Sequence, residues 1–542
     1  MPAGGGGCLR WLRASLQRWN GVLRWPARPL VPPRAQEQPA GARRREGGLA
    51  SDLFRTKPLS EILAESQAGG RRLRRTLTSL DLTVLGVGAI IGTGIFVLTG
   101  VAAARFAGPA VVLSFVISGI ASALTALVYA ELASMVPVAG SAYTYSYAAL
   151  GELAAWVIGW DLVLEYTVAA GAVSIGWSSY AVDLLASLGV RLPLWATASP
   201  PKGGLVNLPA VAVVAAVTAL LVVGTRESTT FNRVVVGLKV AVILFFLGVG
   251  AFYVRPVNWR PFAPYGFAGI MRGAAIIFFA YIGFDAVSTA AEEVRQPRRD
   301  LPIGIIASLV VSTLLYLGVS LVLTGILPYP RLDTASPIAR ALLSVGVRSA
   351  SAVVSAGALA GLTSVMLVNI FGQSRVFFAM ARDGLLPGSL AFIHPRFRTP
   401  VRVTSLTGAA VALIGALLPI ETVAELANIG TLAAFVLVSV GVVVLRKRRP
   451  DLPRSFRTPL VPYLPALAAL FSMWLILSLP WLTWVRFAAW LFLGLGIYFF
   501  YGRRRSRLAA ALPEAGQGGG AESQGGRGEG PIPANGEPRA AS

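Results

Sequence analysis

Apolar residues fall along this chain in long blocks that recur every 30–45 residues, rather than on one helical face or in strict alternation. The blocks occupy 80–102, 109–136, 152–182, 205–224, 233–254, 270–291, 302–327, 350–382, 402–419, 422–445, 460–478 and 480–501. A helix needs about 20 apolar residues to cross the ~30 Å hydrocarbon core of a bilayer. The pattern therefore predicts an all-α polytopic membrane protein with 12 transmembrane helices.

Two blocks are interrupted. In the first, Gly86, Gly88, Gly92 and Gly94 break an otherwise continuous apolar run, with Thr93 between the last two. Glycine weakens a helix and tolerates positive φ. Unwound backbone at membrane depth survives only where protein or a water-filled cavity satisfies it. Such a break marks a transporter's substrate site or a close helix–helix contact. The sixth block repeats the theme, with Gly283 and Asp285 inside the apolar stretch around Ile276–Ser288. Blocks 1 and 6 open two successive five-helix units, and matched breaks of this kind point to inverted repeats around a midplane site.

Composition agrees. Of 542 residues, 55% are hydrophobic and 13% charged, against about 25% charged in soluble domains. The net charge of +23 comes from arginines in the tails and in alternate loops, so no nucleic-acid partner is implied. One side carries Arg226 and Arg233, then Arg295, Arg298 and Arg299, then Arg382, Arg396, Arg398 and Arg402, then the run from Arg446 to Arg457. The opposite loops are poorer, holding Arg255, Arg260, Arg331 and Arg340. The positive-inside rule then places both termini in the cytoplasm of a cell-membrane protein.

Cys8 is the only cysteine and His394, a loop residue, the only histidine. This excludes disulfide frameworks, Cys/His metal sites and histidine relays. No phosphate-binding loop is present, so ATP-driven pumping is unsupported and no cofactor is expected. Three regions follow: a basic N-terminal region (1–79, of which 1–50 reads as a disordered, dispensable extension), a membrane domain (80–501) and a disordered tail (502–542). Residues 9–25, with Trp11, Trp19 and Trp25 among arginines, also suit a short interfacial helix.

Motifs at Leu53–Pro58 and Arg75–Leu77, Leu80–Gly100, Gly140–Asp161 leading into Glu165 and Tyr166, Gly283–Val294 with Pro297–Gly304, and Arg382–Pro387 together carry a family resemblance. The chain resembles the amino acid–polyamine–organocation superfamily, within it the bacterial cationic-amino-acid-transporter branch, over about 51–501. The resemblance implies a five-plus-five inverted repeat with broken helices 1 and 6 and two appended helices. It also implies amino acid transport by alternating access, and it leaves the choice between cationic and small neutral substrates open. The heteromeric type tethered through a cysteine is not matched, so no disulfide-linked partner is expected.

By the same resemblance, the amides of Gly92, Thr93 and Gly94 face the substrate carboxylate, while carbonyls around Ile90, Phe279, Ala280 and Ile282 accept from its ammonium. Gly283 belongs to the same break. Phe279 would be a lid over the substrate, and Asn369 would face its side chain. Ordinary alternatives exist: Thr93 back-bonded to its own helix, Phe279 as core packing, and Asn369 in an interhelical hydrogen bond.

Lys239 lies in the fifth block among apolar neighbours. A lysine there snorkels, pairs or exchanges a proton. In the resembling proteins a lysine here approaches the first break, where sodium-driven relatives hold sodium. That makes Lys239 the candidate proton-coupling group. Glu165, four residues after Asp161 on one helical face, is a candidate partner for Lys239 or for a cationic substrate side chain. Glu152 belongs at the interface. Asp285 could sense substrate charge or serve the broken helix internally. The reading is a proton-coupled amino acid permease rather than an enzyme. An amino acid or polyamine exchanger and a non-transporting amino acid sensor are the alternatives.

Overall fold

The computed structural model describes residues 55–56, 77–135, 141–224, 229–290, 293–334, 336–397, 399–450, 452 and 454–507. The expected N-terminal extension and most of the expected tail lie outside these. Among the described residues the regular structure is helical, apart from one parallel bridge joining Leu77 to Val294.

The first helix, α1 (Ser79–Ile90), starts on a capping box: the Thr78 amide donates to the Asp81 carboxylate at 3.0 Å, and the Asp81 amide returns to the Thr78 hydroxyl. It stops at Ile91, where the backbone is extended (ψ 98°). The chain resumes with a π-helical turn, Gly94–Leu98, and α2 (Thr99–Ala102). At Gly108 (φ +63°) it turns back into α3 (Val111–Met135). A side chain at Gly108 would meet Pro264 as well as the left-handed backbone.

Beyond a short helix, α4 (Ser141–Ala149), run α5 (Glu152–Ser187), α6 (Leu208–Val223) and α7 (Thr229–Ala251). The sixth block forms α8 (Gly266–Ile277), a 3₁₀ turn over Phe278–Tyr281, and α9 (Ala286–Thr289). Between the last two, Gly283 sits at φ +112°. Then come α10 (Pro297–Ile326), short α11 (Pro337–Ser344), α12 (Arg348–Arg382), α13 (Val401–Leu417), α14 (Ile420–Arg448), α15 (Tyr463–Leu477) and α16 (Trp481–Ile497).

Seven helical stretches among the described residues are long and apolar enough to cross a membrane, and five shorter ones of 10–17 residues are also apolar. The first half of block 1 (Ser79–Ile90) and block 6 up to its break (Gly266–Tyr281) are among the short ones, while the second half of block 1 runs into the long stretch Gly94–Met135. The two longest helices, α5 and α12, pack along each other and form the centre. α5 is buried over 83% of its most apolar window and α16 over only 17%, so α5 is core and α16 lies at the periphery.

One end of the bundle is fastened by a carboxylate. Glu131, 1% exposed, takes a two-pronged bond from Arg446 (2.9 and 2.7 Å) and a third from the Thr458 amide at 2.7 Å. These tie the end of α3 to the end of α14 and the loop beyond it. Arg454 Nε also lies 3.3 Å from Glu131, so losing Arg446 weakens the network without leaving the carboxylate wholly unpaired. Arg446→Ala should therefore lower the unfolding temperature of the purified protein measurably, and an unchanged melting curve would show that the network is dispensable.

Glu152, at the start of α5, is enclosed by protein. It is 2% exposed and accepts from Tyr147, Tyr498 and Ser506 at 3.2, 3.1 and 2.6 Å. The Arg507 amide reaches the Asp383 carbonyl at 3.1 Å, so ordered chain continues past the expected boundary at 502.

Candidate functional site

The two breaks meet in the centre of the bundle. A Cβ placed on Gly94 would collide with the backbone of Ala280, and one on Gly283 would lie 2.9 Å from the Ala89 carbonyl oxygen. Glycine at both positions lets two unwound segments touch, which no larger residue would permit. The close-contact and substrate-site readings of the glycines are therefore not exclusive.

Unwound backbone must find partners elsewhere, and side chains from four other helices supply them. The Tyr316 hydroxyl of α10 stands 2.9 Å from the Ile90 carbonyl and 2.8 Å from the Ala280 carbonyl, sharing one proton between the two breaks. Asn428 of α14 donates to the Ala275 and Ile276 carbonyls at 2.7 and 3.1 Å, closing the end of α8. Tyr180 of α5 donates to the Phe96 carbonyl at 2.7 Å. Lys239 of α7 donates to the Gly88 carbonyl at 2.7 Å and lies 3.4 Å from that of Ile91. Sequence reasoning missed Tyr316, Asn428 and Tyr180. Each sits in a largely apolar helix beside other polar residues, so the sequence offers no signal that singles it out.

A small pocket lies between the breaks. It is lined by Ala89, Ile90, Gly92, Thr93 and Gly94 from the first, and by Phe279, Ile282 and Gly283 from the second. α5 adds Tyr166, Ala169 and Val173, and α12 adds Val365, Val368 and Asn369. It leaves about 30 Å³ for the centres of water-sized groups, room for two or three waters at ~10–15 Å³ each.

Eight of the nine residues expected to bind substrate line this pocket. Ala280 does not; it packs on Gly94 behind the wall. Thr93 is fully buried, and its hydroxyl has no partner among the described residues, so it is not back-bonded to its own helix. That leaves a donor and acceptor unspent at the wall of the cavity. Ile90 and Ala280 each keep one carbonyl lone pair beyond the bond from Tyr316.

The charged candidates lie outside the pocket. Lys239 is 0% exposed and does not snorkel. Its partners are carbonyls of the first break, not Glu165 as expected from sequence. Glu165 instead faces Asp285, Asp161 and Thr431, because its helical face turns toward α9 and α14 rather than α7. Asp285, 3% exposed, caps no amide with its side chain, and its carbonyl accepts from Ser288 at 2.6 Å. Asp285 does not reach the pocket wall, so it does not touch a substrate held there. Among the described residues, no charged side chain lines the pocket. Among the described residues, no group of three His, Cys, Asp or Glu could hold a metal.

Known proteins match this sequence closely. The family model for amino acid permeases matches residues 77–502. The chain is 51% identical to the branched-chain amino acid permease BcaP of Bacillus subtilis, over 85% of this chain and 100% of that one. It is 49% identical to the methylthioribose transporter of the same organism, over 84% and 99%. It is 41% identical to the chloroplastic cationic amino acid transporter 9 of Arabidopsis thaliana, over 72% and 69%.

Proposed function

The chain belongs to the amino acid permease family, and from that premise we propose that it carries neutral, branched-chain amino acids inward across the cell membrane, coupled to protons. The observation that carries the substrate class is the pocket wall. Its fourteen lining residues include no carboxylate and no cation. A lysine or arginine substrate would bury its side-chain charge unpaired, at a cost of several kcal/mol. A branched aliphatic chain would instead meet Ala169, Val173, Val365 and Val368. The BcaP relative is named for such substrates.

The zwitterionic end has its own support. The amides around Gly92–Gly94 precede a helical segment whose positive end favours a carboxylate, and the Thr93 hydroxyl stands unpartnered beside them. The ammonium would find the remaining carbonyl lone pairs of the two breaks. Phe279 lines the pocket from the second break, which supports its reading as a lid over the substrate.

Twelve crossings, counted with blocks 1 and 6 as one crossing each, fit a five-plus-five inverted repeat with two added helices. The arginines at the end of α14 favour cytoplasmic termini. Proton rather than sodium coupling is supported by Lys239. Its ammonium fills a nest of carbonyls at the first break that a metal ion would otherwise need. Glu165, away from Lys239 and beside Asp285, would be a second proton-handling group.

Thermal unfolding of the detergent-solubilised protein tests the substrate class. A ligand at 100 times its Kd stabilises the native state by about 2.7 kcal/mol. Leucine, isoleucine and valine should each raise the midpoint, while arginine and lysine should not. A shift with arginine alone, or with methylthioribose alone, would overturn the reading.

A further inference from the structure

A second cavity, of about 630 Å³, lies at the end of the bundle opposite the arginines that close α14. Its walls come from one face of α8, from the start of α14 and from the α15–α16 connection. Trp474 and Trp481 stand exposed at its rim, and the Phe267 ring lies 6.4 Å from that of Trp474. Exposed tryptophans at the ends of spanning helices sit at the headgroup level of a bilayer. The charges in the cavity share that level. Arg272 follows the first residue of α8, and Glu425 the first residue of α14, by less than two turns, a rise of ~8–9 Å.

Those two charges are opposite and unspent. Arg272 is exposed, and no hydrogen bond or ion pair engages it among the described residues. The Thr483 hydroxyl donates to Glu425 Oε2 at 2.8 Å, leaving Oε1 without a hydrogen bond from the described residues. Arg486 and Glu421 act on Glu425 from farther away and with opposite sign. A lone arginine at this depth would need only the headgroup layer above it. A carboxylate in the same cavity, with one oxygen free, calls for a cation as well. From the cavity wall an apolar stripe leads away along α15: Leu477, Trp474, Leu470 and Leu467 are exposed at spacings of three and four residues, so they share one face. The stripe is ~15 Å long, half of the ~30 Å hydrocarbon core and thus the depth of one leaflet.

We propose that this cavity holds the headgroup of a phosphatidylethanolamine. Arg272 binds the phosphate, Glu425 binds the primary ammonium, and one acyl chain follows the α15 stripe. A purely anionic lipid would leave Glu425 facing negative charge, and the methylated ammonium of phosphatidylcholine has no N–H to give Oε1. The site requires only that the chain spans a membrane and is independent of which substrate it carries. Because α8 runs on into the 3₁₀ turn of the second break, a lipid joining α8 to α14 favours the conformation that keeps these two helices at this spacing.

Native mass spectrometry of the delipidated full chain, titrated with phosphatidylethanolamine, phosphatidylglycerol and phosphatidylcholine of identical acyl chains, tests the site. The wild type should bind one phosphatidylethanolamine about tenfold more tightly than either other lipid. Arg272→Ala should weaken that binding about tenfold or more, the loss of a charge-assisted bond, and Arg272→Lys should recover most of it. Glu425→Gln should leave a site that no longer separates phosphatidylethanolamine from phosphatidylcholine. Arg272 has no protein partner to lose, and Glu425→Gln keeps the acceptor for Thr483, so both variants should elute as monodisperse protein. Unchanged phosphatidylethanolamine binding in both variants overturns the proposal. A preference for phosphatidylglycerol that disappears with Arg272→Ala assigns the cavity to an anionic lipid and also overturns it. So does displacement of the lipid by leucine in Gly94→Leu protein, which would assign the two charges to a free amino acid.

Discussion

Gly94→Leu is expected to abolish uptake and to weaken tight substrate binding by roughly 100-fold or more, equivalent to ~3 kcal/mol. Gly94 is fully enclosed, and even its first added carbon would overlap the Ala280 backbone. Overpacking of a close-packed interior costs about 1–3 kcal/mol before any binding contact is lost. Here the added atoms also fill the space between the breaks where the carboxylate would lie. Two further changes grade the effect. Gly94→Ala should already impair binding, because the clash is at Cβ. Gly92→Ala should be milder, since its Cβ would stand 3.4 Å from Val365. Binding isotherms on monodisperse protein decide the matter, and tight binding retained by Gly94→Leu would move the site away from the first break.

The sequence carried the breaks but not what satisfies them. Glycines at 92, 94 and 283 were visible because glycine in an apolar helix is costly without a reason, and the pocket lies between them. Tyr316, Asn428 and Tyr180 were hidden, since one hydroxyl or amide in a 30-residue apolar helix resembles ordinary interhelical bonding until the facing backbone is known. Glu165 shows the opposite limit. Helical periodicity placed it on one face with Asp161, but which neighbour that face meets depends on packing between α5, α9 and α14. The short helices α4 and α11 lie outside the apolar blocks, where hydropathy has nothing to report. Thr93 combined both cases. Its position was legible, and its free hydroxyl was not.

Lys239 should decide the coupling. Lys239→Ala and Lys239→Arg are both expected to lose gradient-driven accumulation by at least tenfold while retaining leucine counterflow at reduced affinity. The ammonium is sealed from solvent and donates to the Gly88 carbonyl, in contact with the first break but outside the pocket wall. A proton released there would loosen the segment that also presents Gly92–Gly94 to the substrate, and this is how one ion could bias both conformations. Alanine removes the donor and leaves a buried carbonyl unmet, at about 1–3 kcal/mol. Arginine keeps the charge but never gives up its proton. It is also wider, and the Lys239 stem already runs so close to Gly361 that a Cβ there would sit 2.9 Å from Lys239 Cγ. A static clamp predicts a different pattern, in which arginine supports accumulation and alanine fails through loss of the contact alone. Counterflow and proton-driven uptake measured side by side in proteoliposomes separate the two. Full accumulation by Lys239→Arg would remove this lysine from proton transfer and return sodium to consideration, with the first-break carbonyls as its nearest oxygen ligands.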